Sequence, residues 1–413
     1  MLSYSYDKNG NVTGVTDQTG KTTEYSYDSI NNLKSVKDGN DALAAYTYNP
    51  DSTVSNINYR NRIKISYNYN KDKNVTSLVQ KDAKGKTINS FDYTYDNNGN
   101  ELSKNENGIE TSYTYDKMNR LLTAGTDSFT YDNAGNRATW NRGNEKIKYT
   151  YDANNRMTAV TSSNSGSIVY TYDNNGNQLT SSDGTTYTFD GFNQLKSVEQ
   201  VDGSWMENQY DAFGLRISVT ENGIVSNFTY DRGNIITETT GSGGLVSRNI
   251  RGLGLIGREN PIGTKAYYLN NAHGDVSKLV NENGEVLNSY QYDAFGNTTS
   301  SKEKVQNRFQ YTGEQLDKVT GQYYLRARHY DPATGRFIAE DTYRRQLDNT
   351  KSLNLYTYCE NNPIIYVDPS GHCYLKKNKD GSYSVKKDSW WGVLLKSVVP
   401  TLIPFSDNAI SMF

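Results

Sequence analysis

Residues 111–139 read TSYTYDKMNRLLTAGTDSFTYDNAGNRAT, and the fold turns on how this stretch is parsed. Tyr113 and Tyr115 alternate with Thr114, the period of two expected of a strand with one aromatic face. Asp116 follows at once, its carboxylate placed to accept from backbone amides two residues on, an Asx turn that ends the strand. Leu121 and Leu122 begin a return strand, Ala124-Gly125 breaks it, and Phe129-Thr130-Tyr131-Asp132 opens the next copy. Elsewhere Asn98-Gly99, Ala134-Gly135 and Asn175-Gly176 supply the positive φ values that tight hairpins require. Each copy is therefore a β-hairpin.

Working outward, Tyr-Asp returns from Tyr6-Asp7 to Tyr330-Asp331, with degenerate copies at Tyr48-Asn49, Tyr69-Asn70 and Phe189-Asp190. A period of about twenty residues marks one supersecondary unit repeated and stacked. Roughly fourteen units give about 28 strands at ~4.8 Å spacing, a sheet on the order of 130 Å long. An open twisted sheet does not sustain that length without curling, so the class expected is all-β, a long antiparallel meander coiled into a partial shell. Closed into a ring it would be about 40 Å across and one strand tall, about one turn of a wall. Tyrosines should stripe one face, with Thr, Ser and Lys on the other.

Bulk composition taken alone points elsewhere. Mean hydropathy is -0.82 and 34% of residues are apolar, values that usually accompany disorder. The 35 tyrosines reverse this, because each buries a large ring while its hydroxyl keeps a polar partner. A net charge of -2 argues against nucleic acid or an anionic membrane as partner. Cys359 and Cys373 make no disulfide framework, and His273, His329 and His372 are too scattered for a zinc site, so no metal or cofactor is expected. No stretch has the apolar length of a spanning helix, and the first residues carry no signal-peptide pattern. Asp96-Asn97-Asn98-Gly99-Asn100 resembles the start of a calcium loop but lacks the distal Glu, and turn chemistry accounts for it. Gly252, Gly254 and Gly257 match a dinucleotide fingerprint without the surrounding βαβ pattern, which leaves a Gly-permitted strand bend.

Near residue 301 the period yields to a denser segment. Tyr323-Tyr324-Leu325-Arg326-Ala327-Arg328-His329-Tyr330-Asp331-Pro332, then Gly335-Arg336-Phe337, resembles the Rhs repeat-associated core. Leu355-Tyr356-Thr357-Tyr358, Asn361-Asn362-Pro363 and Asp368-Pro369-Ser370-Gly371 fit the same core. With the upstream repeats, the resemblance covers about residues 1–372. It implies a bacterial polymorphic toxin of the Rhs or wall-associated type, related to the C component of Tc toxin complexes and to the teneurin YD shell. Three regions follow: a repeat shell over 1–300, the core over 301–372, and a variable tail over 373–413.

In that family the shell encloses a C-terminal toxin, and in many members the core is an aspartyl autoprotease that frees it. Carried onto this chain, the resemblance implies Asp341 and Asp368 as the catalytic pair, with cleavage between His372 and Cys373. Two nearby carboxylates share a proton, so one activates water while the other polarises the carbonyl. The scissile bond lies in the same chain, which supplies a high effective molarity for one turnover. The same two residues also suit plain turn capping. Arg336 is a candidate to orient an aspartate, or equally a solvated charge. Departures from the family pattern are Thr342 where Pro usually follows the first aspartate, His372 where cleaving relatives commonly have Leu, and a longer stretch around RRQLDNTK.

The tail, from Cys373 to Phe413, is short for an enzyme and too interrupted by Lys396, Pro400 and Pro404 to span a membrane; it reads as a linker or toxin remnant. The chain opens mid-repeat at Tyr4-Ser5-Tyr6-Asp7, the expectation for the C-terminal portion of a longer protein whose signal lies upstream. The function expected is the shell and plug of a secreted or surface-associated bacterial toxin-delivery protein, at most a single-turnover enzyme. Its partners would be its own tail or toxin, a secretion partner and, where a toxin is present, an immunity protein. Competing readings are a cell-surface adhesin that stacks glycans on exposed Tyr and Asn, and an inactive cassette.

Overall fold

The computed structural model describes residues 2–342, 353–372, 375–377 and 383–385. Thirty strands, from Ser3–Tyr6 to Thr298–Glu303, form one open sheet in which each strand pairs antiparallel with its neighbours in sequence. This is the all-β hairpin meander expected of the repeat.

The copy at 111–139 shows how the residues dictate it. Ile109–Tyr115 pairs with Leu121–Ala124, which pairs with Asp127–Tyr131. Between the first two, Asp116 Oδ1 accepts from the Met118 and Arg120 amides at 2.8 and 2.9 Å, and Asn119 takes a φ of 61°. Tyr113 is buried, while Thr114 faces outward with its hydroxyl 2.7 Å from that of Thr123. Asp96 builds the same turn: Oδ1 accepts from the Asn98 and Asn100 amides and Oδ2 from Asn100 Nδ2, each at 2.8 Å. Gly252 and Gly254 form the hairpin between Leu245–Arg251 and Leu255–Glu259.

The geometry also explains why Tyr rather than Phe precedes the aspartate. The Tyr131 hydroxyl donates to the Leu121 carbonyl at 2.7 Å, Tyr151 to Arg137 at 2.7 Å, Tyr172 to Met157 at 3.0 Å and Tyr230 to Arg216 at 2.8 Å. Each acceptor is the fifth residue after a turn aspartate, so every tyrosine ties its hairpin to the one before.

The ribbon does not close into one ring. The Tyr4 hydroxyl donates to Asp231 at 2.9 Å, Arg248 binds both Asp17 and Asp38, and the Tyr59 hydroxyl donates to the Tyr268 carbonyl at 3.2 Å. Those partners lie 209 to 231 residues apart in sequence. Val36, Leu43, Ile65, Leu78 and Phe91 of the early strands share one core with Ile250, Ile256, Leu269 and Val280 of the late ones. The single one-strand-tall turn expected from the sequence is therefore replaced by a coil that overlaps itself. Overlap buries apolar surface that a plain ring would leave facing an open bore.

After Glu303 the chain forms a compact plug. Gln315–Asp317, Gln322–Leu325, Arg328–Asp331 and Arg336–Phe337 make a second antiparallel sheet. Tyr311, Tyr323, Leu325, Tyr330, Phe337, Tyr358 and Cys359 form its core, with Tyr330 and Tyr358 stacked at 3.9 Å. Tyr366–Val367 pairs with Leu375–Lys377, which pairs with Tyr383–Val385.

Candidate functional site

The plug sits on the edge of the wall where the Tyr-Asp turns emerge. Turn carbonyls there have no strand partner, and donors from the plug meet them one after another. The Tyr356 hydroxyl donates to Gly176 at 2.8 Å, Asn361 Nδ2 to Gly135 at 2.7 Å, Asn362 Nδ2 to Asn119 at 2.8 Å and Tyr323 to Gly296 at 3.2 Å. Arg326 Nε donates to Gly233 at 2.9 Å. Charged contacts add to these: Arg216 of the wall grips Asp317 through two bonds of 2.7 and 2.8 Å, with both side chains fully buried.

Within the plug the two sequence-predicted aspartates come together. Asp341 follows the Arg336–Phe337 strand, and Asp368 follows Tyr366–Val367. Both are buried, and both face one guanidinium nitrogen: Arg328 Nη2 stands 3.0 Å from Asp341 Oδ2 and 3.9 Å from Asp368 Oδ2. Arg328 lies on the strand Arg328–Asp331, its guanidinium 3.6 Å over the Phe337 ring and its Nη1 donating to the Leu355 carbonyl at 2.8 Å. Burial pushes the Asp368 carboxyl above its ordinary value; Arg328 opposes that, and the neighbouring Asp341 charge reinforces it.

The loop after Asp368 carries the predicted cleavage point. The Ser370 hydroxyl donates to Asp368 Oδ1 at 3.1 Å and accepts from the His372 amide at 3.2 Å. The Gly371 carbonyl accepts from Arg328 Nε. Gly371 has a φ of 71°, and a Cβ there would stand 2.5 Å from the Leu325 carbonyl oxygen, so the turn admits only glycine. His372 Nδ1 is hydrogen-bonded to Asp341 Oδ1 at 2.8 Å. Asp341, Asp368 and the Gly371 carbonyl thus surround Arg328, with His372 on the other oxygen of Asp341. Cys373, the other side of the predicted scissile bond, lies outside the described residues, as does most of the tail.

Arg336 stands elsewhere. Its guanidinium donates to Asn136 Oδ1 at 2.8 Å and to the Asn155 carbonyl at 2.6 Å, and lies 4.7 Å from the Tyr151 ring centroid. It fastens the plug to two wall turns. The contacts with the aspartates proposed for Arg336 are made by Arg328, which sequence reasoning passed over although it lies in the motif that marks the core.

A coiled wall of Tyr-Asp hairpins, capped along its turn edge by a plug with two buried aspartates, defines a shell-and-plug β-protein. Comparisons agree. The teneurin YD-shell family matches residues 47–141 and 255–364, and the RHS repeat family matches 6–43 and 151–186. The chain belongs to the Rhs/YD-repeat toxin family. Over 225 residues, 52% of its length, it is 38% identical to the tRNA3(Ser)-specific nuclease WapA of Bacillus spizizenii, and 37% identical to the tRNA nuclease WapA of Bacillus subtilis. Each match covers 10% of the relative, so the chain corresponds to about a tenth of those proteins. It is 30% identical over 110 residues to the toxin subunit YenC1 of Yersinia entomophaga, covering 25% of this chain and 11% of that one. The Photorhabdus luminescens Tc holotoxin pore superposes with a TM-score of 0.70 at 17% identity, over 90% of this chain and 21% of that one, a likeness of fold.

Proposed function

We propose that the chain is the shell and plug of a toxin-delivery protein acting outside a bacterial cell, and that its plug is a single-turnover aspartyl autoprotease cutting between His372 and Cys373. One observation carries the catalytic part: Asp341 and Asp368 converge on Arg328 beside the loop that ends in His372. Asp368, held toward its neutral form by burial, is the proton donor. Asp341, ion-paired with Arg328, orients a water as general base. Water adds its oxygen to the His372 carbonyl carbon, the C–N bond to residue 373 breaks, and the leaving nitrogen takes the proton from Asp368. Arg328 steadies both carboxylates and, through Gly371, the loop that presents the bond. Released material would be whatever follows residue 372. A toxin there would call for an immunity partner in the producing cell.

Intact mass of the purified chain tests this reading. The expected result is a fragment ending at His372 in wild type and a full-length mass in both Asp341→Asn and Asp368→Asn. A stable full-length wild type overturns the protease and leaves the shell.

A further inference from the structure

The fifth residue after most of the turn aspartates opens a return strand and points inward. Val12, Leu33, Leu121, Met157 and Leu195 fill it with buried apolar side chains. Two arginines of the wall break the pattern, and the plug meets each: Arg216 pairs with Asp317 at 2.7 Å, and Arg137 Nη2 donates to the Thr334 carbonyl at 2.5 Å. Glu101 breaks it as well, with no such reply. It is only 7% exposed, and its carboxylate has no hydrogen-bond partner among the described residues. A buried carboxyl left in that state is costly unless something else meets it.

Glu101 lines a pocket of about 430 Å³ between wall and plug, with Tyr93 and Tyr113 on the wall side and Tyr311, Pro363 and Ile364 on the plug side. The other charged groups around it are already engaged. Asp275 accepts from His273 Nδ1 and from the Thr312 amide, each at 2.9 Å. Asp293 accepts from the Phe295 and Asn297 amides, and Asp127 from Trp140 Nε1 at 2.9 Å. Glu106 pairs with Lys104 at 3.3 Å, and Arg142 lies 5.2 Å from the Trp140 ring centroid. Carboxylates therefore outnumber fixed cations in the lining, and the Tyr113 hydroxyl, like the Glu101 carboxylate, makes no hydrogen bond among the described residues.

We propose that this pocket binds an alkylammonium group, with the Glu101 carboxylate as counter-ion and the Tyr93 and Tyr113 rings as walls. A lysine side chain of a polypeptide and a free amine present the same head group. Burial pushes the Glu101 carboxyl up to about 8, opposed by Lys104 and reinforced by Asp275. The ligand must displace that proton, so binding tightens as pH rises.

Calorimetry on the full chain with N-acetyl-lysinamide and with putrescine tests the assignment. Affinity for at least one is expected to rise about 30-fold between about pH 6.5 and 9, the proton-displacement factor for a carboxyl near 8. Glu101→Gln, which mimics the protonated acid and should fold, is expected to weaken binding at least about tenfold at the higher pH. Binding of the lysinamide alone identifies a polypeptide side chain, and of putrescine alone a free amine. No heat with either probe, a flat pH profile in wild type, or unchanged affinity in Glu101→Gln overturns the proposal.

Discussion

Replacing His372 with leucine is expected to speed cleavage after residue 372. His372 Nδ1 stands 2.8 Å from Asp341 Oδ1, while Asp341 Oδ2 faces Arg328 at 3.0 Å. An Asp341 with both oxygens engaged is a poorer acceptor for the water it must orient, and Oδ1 is freed for that role when the imidazole swings away. A hydrogen bond to a charged group contributes about 1.5–3 kcal/mol. The His372 side chain is 22% exposed, so water recovers part of that and the lower end, about 1.5–2 kcal/mol, applies. Removing the ring should then lower the barrier by that amount, about 10–30-fold in rate. Leucine cannot replace the bond, and it leaves the Arg328–Gly371 and Ser370 contacts in place, because those use Gly371, Ser370 and the backbone of 372. The assay is a time course of intact mass for wild type, His372→Leu and the double variant with Asp341→Asn. A His372→Leu rate within twofold of wild type, or cleavage persisting in the double variant, would refute the reasoning.

Cleavage should also slow as pH rises past the raised value of Asp368, because only its protonated form can serve as the acid; timed mass measurements across about pH 5–9 check this, and a rising limb would contradict the assignment. Asp317→Asn leaves the buried Arg216 unpaired and is expected to cost about 3–5 kcal/mol in guanidinium unfolding. Burial raises the Asp317 carboxyl but Arg216 pulls it further down, well below the ordinary carboxylate range; the stability it contributes is therefore complete above about pH 4 and lost as pH falls toward its folded value, which an acid titration of wild type against Asp317→Asn should show. Tyr172→Phe keeps the ring but removes the donor to Met157, an expected loss of about 1 kcal/mol by the same unfolding assay.

The hairpin was legible because its causes are local. Alternating Tyr and Thr, an Asx turn at Asp116 and a positive-φ residue three positions later all lie within one short window. The overlap of the wall with itself had no such signal: it depends on Arg248 meeting Asp17 and Asp38, residues whose proximity no period announces. The aspartate pair was reached through the core motif rather than through chemistry readable along the chain. For Arg336, read as either an orienting residue or a solvated charge, the sequence carries a signal of a different role. Arg336 is the fifth residue after Asp331, as Arg137 is after Asp132 and Arg216 after Asp211, and all three bridge wall and plug. Arg328 falls on the neighbouring strand, where the Phe337 ring carries its guanidinium toward the two acids.

The site is bound to the rim by side chains on either side of it in the chain. Ahead of Arg328, the Tyr324 hydroxyl accepts from the Arg216 amide at 2.8 Å and Arg326 Nε donates to the Gly233 carbonyl at 2.9 Å. Beyond it, the Tyr330 hydroxyl donates to the Phe295 carbonyl at 2.7 Å. Arg328 therefore lies between two anchor points on wall turns, and its guanidinium in turn holds Asp341, Asp368 and the Gly371 carbonyl. A plug detached from the wall would lose both anchors, and the buried surroundings that raise Asp368 would open to water along with them. Because the wall contributes turn carbonyls rather than particular side chains at most of these points, the rim can vary in sequence and still present the same row of acceptors. Selectivity for this plug then rests on the few places where a wall side chain reaches inward, Arg137 and Arg216 foremost, and those are where a substitution should loosen the plug without unmaking the hairpins.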